Sequence, residues 1–321
     1  MKVLFAALEN AWGGFLGQIK EKLPDFQFEA TGGFFVESLK VVDVLIPTMC
    51  PVTRDLLHTA DQLRLIQQCG AGLEGVDLAA ARDKQIWVAN VPTDISGNAD
   101  SVAELGIYFM IGLSRNVRGI VESFKEGRMG EPQGRALSGR TVGLVGLGGI
   151  GRALIKRLNP FGVCLIGVKQ YAPQAAKEEL GLEWAGGPED LPELLGRSDY
   201  VVLGLPCTSD SMHLMNRETF AMMKPDAFLI NLSRGGLVDR DALEHALATK
   251  RIAGAGLDVF WEEPPSLNDP IFEYNVLATP HIAGSTDRSM EGIVTAVADN
   301  ILRVAKNEPP LYASMSFNYE K

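Results

Sequence analysis

The sequence predicts an α/β protein built from two doubly wound parallel-sheet domains. Three observations carry this reading. Short apolar runs alternate with helix-period segments along nearly the whole chain, the runs fall into two sets, and a glycine-rich turn opens the second set. Strands that alternate with helices need parallel pairing and right-handed crossovers. Two sets imply two sheets, and 321 residues are enough to bury a core around each.

The first set comprises Val3–Ala6, Phe26–Ala30, Val42–Ile46, Leu65–Gln68 and Trp87–Ala89. Its opening run, MKVLFAAL, carries one lysine and is soon interrupted by Glu9, Asn10, Gly13 and Gly14. It therefore reads as a strand and not as a signal peptide. The segment NADSVAELGIYFMIGLSR (98–115) follows, with Val102, Leu105, Phe109 and Leu113 at the 3–4 spacing of a buried helix face. A second helix is predicted from Asn116, then a polar, glycine-rich loop over Gly127–Gly139. The second set comprises Val142–Val145, Val163–Val168, Tyr200–Leu203, Phe228–Asn231, Ala253–Leu257 and Val276–Ala278. A long helix over Ser285–Lys306 would carry the chain back to the first domain. The first domain is thus expected to be discontinuous, residues 1–100 and 290–321, with the second occupying 101–289.

Composition narrows the partners. A net charge of −10 offers no basic stripe for nucleic acid, and no apolar segment reaches the ~20 residues that span a bilayer. Cys50, Cys69, Cys164 and Cys207 are scattered without a metal-binding spacing, so no metal is expected. Free thiols fit a reducing, cytoplasmic setting.

The turn Gly146-Leu-Gly148-Gly149-Ile150-Gly151 lies between the apolar strand TVGLV and a helix pattern with Ala153, Leu154 and Leu158. That order brings backbone N–H groups and a helix N-terminus to a pyrophosphate, the arrangement of a dinucleotide site. The next strand, VCLIGV, ends about 18 residues beyond Gly151, near the ~20 at which a ribose-binding carboxylate is expected. Lys169 and Gln170 stand there instead. An ammonium pairs with a 2′-phosphate where a carboxylate would repel it. The substitution points to NADP(H), with NAD(H) as the alternative.

Three later segments sit at strand ends: NLSRGGLVD (231–239), GLDVFWEEPP (256–265) and TPHIAGST (279–286). They supply Arg234, Glu263 and His281. This order, downstream of a dinucleotide turn, resembles the D-isomer-specific 2-hydroxyacid dehydrogenase family over nearly the whole chain. GAGLEGVDL (70–78) looks like that family's substrate loop, and residues 98–115 look like its hinge helix.

The resemblance implies a Rossmann cofactor domain inserted in a flavodoxin-like substrate domain, with catalysis in the cleft and a homodimer built on the hinge helix. It implies hydride transfer between NADP(H) and a small 2-keto or 2-hydroxy acid, glyoxylate or hydroxypyruvate first. NAD-dependent oxidation of 3-phosphoglycerate or another D-2-hydroxy acid is the alternative within the class, and a dinucleotide-sensing, corepressor-like binding protein is the alternative outside it. His281 would be the acid that protonates the carbonyl oxygen, since imidazole titrates near working pH. Glu263, directly before Pro264 where the family has its glutamate, would favour the charged ring, and Arg234 would grip the substrate carboxylate. By the same resemblance the amides of Ala71 and Gly72 would bind that carboxylate. Asp258 would bond the nicotinamide carboxamide. Pro206, Cys207, Leu232, Ser233, His281 and Gly284 would border the cofactor.

Overall fold

The computed structural model describes residues 1–315, so the last six residues of the predicted 290–321 segment lie outside the described residues. The chain divides into two compact units, one formed by Met1–Asn98 with the chain from Ser285 onward, the other by Ala99–Gly284.

In the first unit the strands are β1 (Lys2–Phe5), β2 (Gln27–Ala30), β3 (Val44–Ile46), β4 (Leu65–Gln67) and β5 (Trp87–Ala89). All pair in parallel in the order β2-β1-β3-β4-β5, the flavodoxin-like winding. The long C-terminal helix, Asp287–Ala305, is part of this unit. Its buried face, Val294, Val297, Ile301 and Val304, joins Phe15, Leu16 and Ile19 of the helix Ala11–Lys22 over Val3, Phe5, Val44 and Leu65. Within that apolar layer Asn300 is fully buried, and it donates to Gln67 Oε1 (2.8 Å) and the Leu311 carbonyl (3.1 Å). A buried amide needs such partners, and these pin the returning helix to β4.

The second unit contains β6 (Thr141–Val145), β7 (Cys164–Val168), β8 (Trp184–Gly186), β9 (Tyr200–Leu203), β10 (Phe228–Asn231), β11 (Gly254–Leu257) and β12 (Val276–Ala278). The sheet order is β12-β11-β10-β9-β6-β7-β8. Counted within the unit, this is the Rossmann order 3-2-1-4-5-6 with one strand added beside the sixth. β9, β10 and β11 are buried along their whole length, as expected for parallel strands covered on both faces. Period-two alternation sorts their side chains. Val201, Leu203 and Leu229 face the helices Leu191–Arg197 and Arg240–Ala248, while Tyr200, Val202 and Ile230 join Phe109, Leu154 and Leu158 on the other side.

β8 falls outside the strands that the sequence predicts. Its sequence is WAG, followed by Gly187 and Pro188, so it lacks the β-branched run that marks a strand. It forms because β7 offers an open edge, where Trp184, Ala185 and Gly186 pair with Ile166, Gly167 and Val168. The helix predicted from Asn116 is a 3-10 turn, Val117–Gly119, continuing as Ile120–Lys125. No helix among the described residues is long and apolar enough to cross a membrane.

Candidate active site

Every residue assigned to the cofactor or to catalysis on the second unit lies beyond the C-terminal end of a parallel strand of one sheet. Gly146 follows β6, Lys169 and Gln170 follow β7, Pro206 and Cys207 follow β9, and Leu232 to Arg234 follow β10. Asp258 and Glu263 follow β11, and His281 and Gly284 follow β12. Parallel strands bring their C-terminal ends to one edge, where doubly wound sheets bind ligands. The winding reverses between β6 and β9, so the glycine turn and the Pro206 loop flank the switch point.

The turn has the geometry a dinucleotide needs. Gly146 has φ +102°, a conformation L side chains rarely adopt, and a Cβ there would lie 2.7 Å from the Gly204 carbonyl oxygen. Gly148 caps the helix Gly149–Leu158 in an extended conformation and is exposed, and a Cβ added to it would meet nothing within 4 Å. That open backbone at a helix N-terminus is a cradle that a side chain would fill. Gly151 is buried, with its Cβ position 2.4 Å from the Gly146 carbonyl oxygen, so only glycine lets helix and turn touch. Ile150 packs against the apolar layer beside this turn. These residues fit a nicotinamide dinucleotide.

His281, Glu263 and Arg234 come together from three different loops. His281 Nδ1 lies 2.7 Å from Glu263 Oε2, and the other carboxylate oxygen of Glu263 accepts the Phe260 N–H at 2.9 Å. The neighbouring Glu262 is exposed. Burial pushes the Glu263 carboxyl up. The His281 hydrogen bond and charge, the Phe260 N–H and the Arg234 charge together outweigh it and hold the carboxyl below its ordinary value. The Arg234 guanidinium donates to the Ser233 carbonyl at 2.7 Å, and its backbone carbonyl accepts from Asn231 Nδ2 at 2.8 Å. Ser233 donates in turn to the Leu205 carbonyl, linking this loop to the one after β9. Leu232 is buried and its side chain packs on Gly106.

Asp258 does more than the sequence suggested. It is 1% exposed, and its carboxylate accepts from the Thr279 hydroxyl (2.6 Å), the Ile282 N–H (2.9 Å) and the Ala283 N–H (3.0 Å). Its carbonyl takes the His281 N–H at 2.9 Å. Four bonds thus brace the turn that carries His281, whose φ of +54° needs such support. Burial raises the Asp258 carboxyl despite these donors. In Asp258→Asn the amide can keep its oxygen toward Thr279 and Ile282 only by presenting N–H₂ to the Ala283 N–H. Urea unfolding is expected to show a loss of about 2 kcal/mol. A midpoint equal to wild type would mean the bracing bonds contribute nothing.

Trp261 packs on the core and donates its indole N–H to the Val238 carbonyl at 2.6 Å. The loop of Glu263 is thereby tied to the segment after Arg234. Ala71 and Gly72 belong to the first unit, in the turn after β4, where the Ala71 carbonyl accepts from Asn90 Nδ2 at 2.7 Å. Their amides are bonded to no other described residue.

The NAD-binding domain of the D-isomer-specific 2-hydroxyacid dehydrogenases matches residues 107–283. The chain belongs to this family. It is 36% identical over 292 residues to a glyoxylate reductase of Thermococcus litoralis, covering 87% of this chain and 85% of that one. It is 37% identical over 276 residues to a D-3-phosphoglycerate dehydrogenase of Methanocaldococcus jannaschii, covering 85% of this chain but spanning only 52% of that enzyme's length. Among solved structures, a D-lactate dehydrogenase of Aquifex aeolicus complexed with NAD and lactic acid superposes with a TM-score of 0.83 at 26% identity, over 96% of each chain. Membership makes the protein an oxidoreductase of the CH–OH class that uses a nicotinamide dinucleotide and a small 2-hydroxy or 2-keto acid.

Proposed function

We propose that the protein is an NADP(H)-preferring reductase of small 2-keto acids, with glyoxylate or hydroxypyruvate as substrate. The observation that carries this reading is the His281–Glu263 pair, with the Arg234 charge acting on it, on the strand-end row that also holds the Gly146–Gly151 turn. When bound, the nicotinamide supplies the hydride. The chain supplies the rest. Arg234 holds the substrate carboxylate and polarises its neighbouring carbonyl. With Nδ1 committed to Glu263, the His281 ring delivers its proton from Nε2 to the carbonyl oxygen as the carbon is reduced. In the reverse direction the same nitrogen accepts it.

Lys169 and Gln170 carry the cofactor preference. Both stand where a carboxylate would exclude the 2′-phosphate, and Gln170 is exposed. Lys169→Asp is expected to lower the ratio of kcat/KM for NADPH over NADH about 100-fold, because it replaces attraction to a phosphate with repulsion. An unchanged ratio would remove Lys169 from the argument.

A homodimer is supported by apolar side chains exposed on the second unit, Tyr108 and Ile111 on the helix Asn98–Ser114 and Val121, Phe124 and Met129 beyond it. Light scattering giving the monomer mass would reject it. A panel of 2-keto acids with NADPH and NADH decides the whole reading. No oxidation with any of them, together with dinucleotide-dependent association, would favour a corepressor-like binding protein instead.

A further inference from the structure

Two charges near the dinucleotide turn sit at the unfavourable ends of their helices. Arg152 is in the first turn of the helix Gly149–Leu158, directly after Gly151, where the helix dipole disfavours a cation. Glu179 is in the last turn of the helix Pro173–Leu180, where it disfavours an anion. Each is compensated by the other. Both terminal nitrogens of Arg152 bond the two oxygens of Glu179, Nη2 to Oε2 at 2.9 Å, in a fork-to-fork pair. The pair is partly exposed, 39% and 59%, so it adds little to stability. Its placement is better explained by what it does to the charge beside the turn.

That charge is shared with Lys169. β6 and β7 are paired with Val145 opposite Val168, so Lys169 comes off the sheet beside Gly146. The Glu179 carboxyl is held below its ordinary range first by the Arg152 bond, and Lys169 also pulls it down. One carboxylate therefore lies in the field of two cations at the β7 side of the turn, the side on which the ribose of a dinucleotide is read.

We propose that Glu179 is a cofactor-specificity residue that competes with the 2′-phosphate of NADP(H) for Arg152 and Lys169 and so keeps the site open to NAD(H). The proposal rests on the reading of the Gly146–Gly151 turn as the dinucleotide site and of Lys169 as its phosphate partner. A 2′-phosphate carries nearly two charges and three acceptor oxygens. To engage the Arg152 fork it must open a bidentate pair already made. NAD(H) presents only hydroxyls there and leaves the pair intact. Glu179 thereby weakens binding of the phosphorylated dinucleotide alone.

The test is equilibrium binding of two fragments, adenosine 2′,5′-bisphosphate and adenosine 5′-monophosphate, to the purified full chain by calorimetry. Glu179→Gln keeps shape and removes the charge. It is expected to tighten the bisphosphate about fivefold and to leave the monophosphate within twofold. The gain must vanish when Glu179→Gln is made in an Arg152→Ala background. An unchanged or weakened bisphosphate, in a variant that melts like wild type, overturns the proposal, as does a gain that persists without Arg152. Lys169→Ala separates the two layers. Loss of bisphosphate affinity there, with no gain in Glu179→Gln, means that only the Glu179 proposal fails. If neither fragment binds the wild-type protein, the dinucleotide reading fails and this proposal with it.

Discussion

His281→Ala is expected to lower kcat for 2-keto acid reduction about 10³-fold while the dinucleotide Kd changes less than about threefold, because positioned proton donation contributes 10²–10⁴-fold. The selectivity follows from how the turn is held. Asp258 bonds the turn through the Thr279 hydroxyl and the backbone N–H groups of His281, Ile282 and Ala283, none of which the substitution removes. The loop should stay in place while the proton donor is lost. Steady-state kinetics with parallel fluorescence titration of the dinucleotide separates the two quantities. A kcat within tenfold of wild type would remove His281 as the acid. Glu263→Gln should act more mildly, about 10–100-fold, since the ring keeps a hydrogen-bond partner but loses the carboxylate charge beside it. The sign of the pH effect is fixed by the direction of the Glu263 shift. Its carboxyl is lowered, so the stabilisation from the ionised carboxylate is fully present above the ordinary carboxylate value and is lost as pH falls through the lowered one. Wild type should accordingly lose stability in acid more steeply than Glu263→Gln.

What could be read in the sequence divides along physical lines. Parallel strands buried on both faces must be apolar throughout, so VVL, FLI and LIG announced themselves. WAG did not, because β8 exists by pairing to the edge of β7 and not by its own propensity. Val42 and Asp43 read as the start of β3, but the Asp43 carboxylate accepts the Lys2 N–H at 2.7 Å and the strand begins at Val44. In the candidate site, the glycines and the Arg–Glu–His set were legible because close backbone approach and proton transfer each demand particular residue types at strand ends. The partners of those residues were not. Arg152 and Glu179 stand 27 residues apart on separate helices, and no period links them. Asp258 was visible as a residue at a strand end, but its grip on the 279–283 turn exists only once β11 and β12 lie side by side. The indole bond of Trp261 to Val238 likewise joins two loops that only the sheet brings together.

The glycines of the turn allow folding and ligand binding to be pulled apart. Gly148→Ala should leave the unliganded protein as stable as wild type or slightly more so, by up to about 1 kcal/mol, because its backbone is already extended, its Cβ meets nothing, and alanine restricts the unfolded chain. Gly151→Ala should cost about 3 kcal/mol, because its Cβ would meet backbone oxygen at 2.4 Å and neither the turn nor the buried helix can give way cheaply. Both should weaken the dinucleotide, Gly148→Ala about 100-fold, since the methyl group occupies the open cradle that the pyrophosphate must enter. Thermal melts read the first quantity and calorimetric titration of NADPH the second. The informative variant is Gly148→Ala, where loss of affinity cannot be blamed on a damaged fold. If it melts like wild type and still binds NADPH at wild-type affinity, the open face of that helix N-terminus is not where the dinucleotide lies, and the roles given to Lys169, Arg152 and Glu179 would lose their common origin.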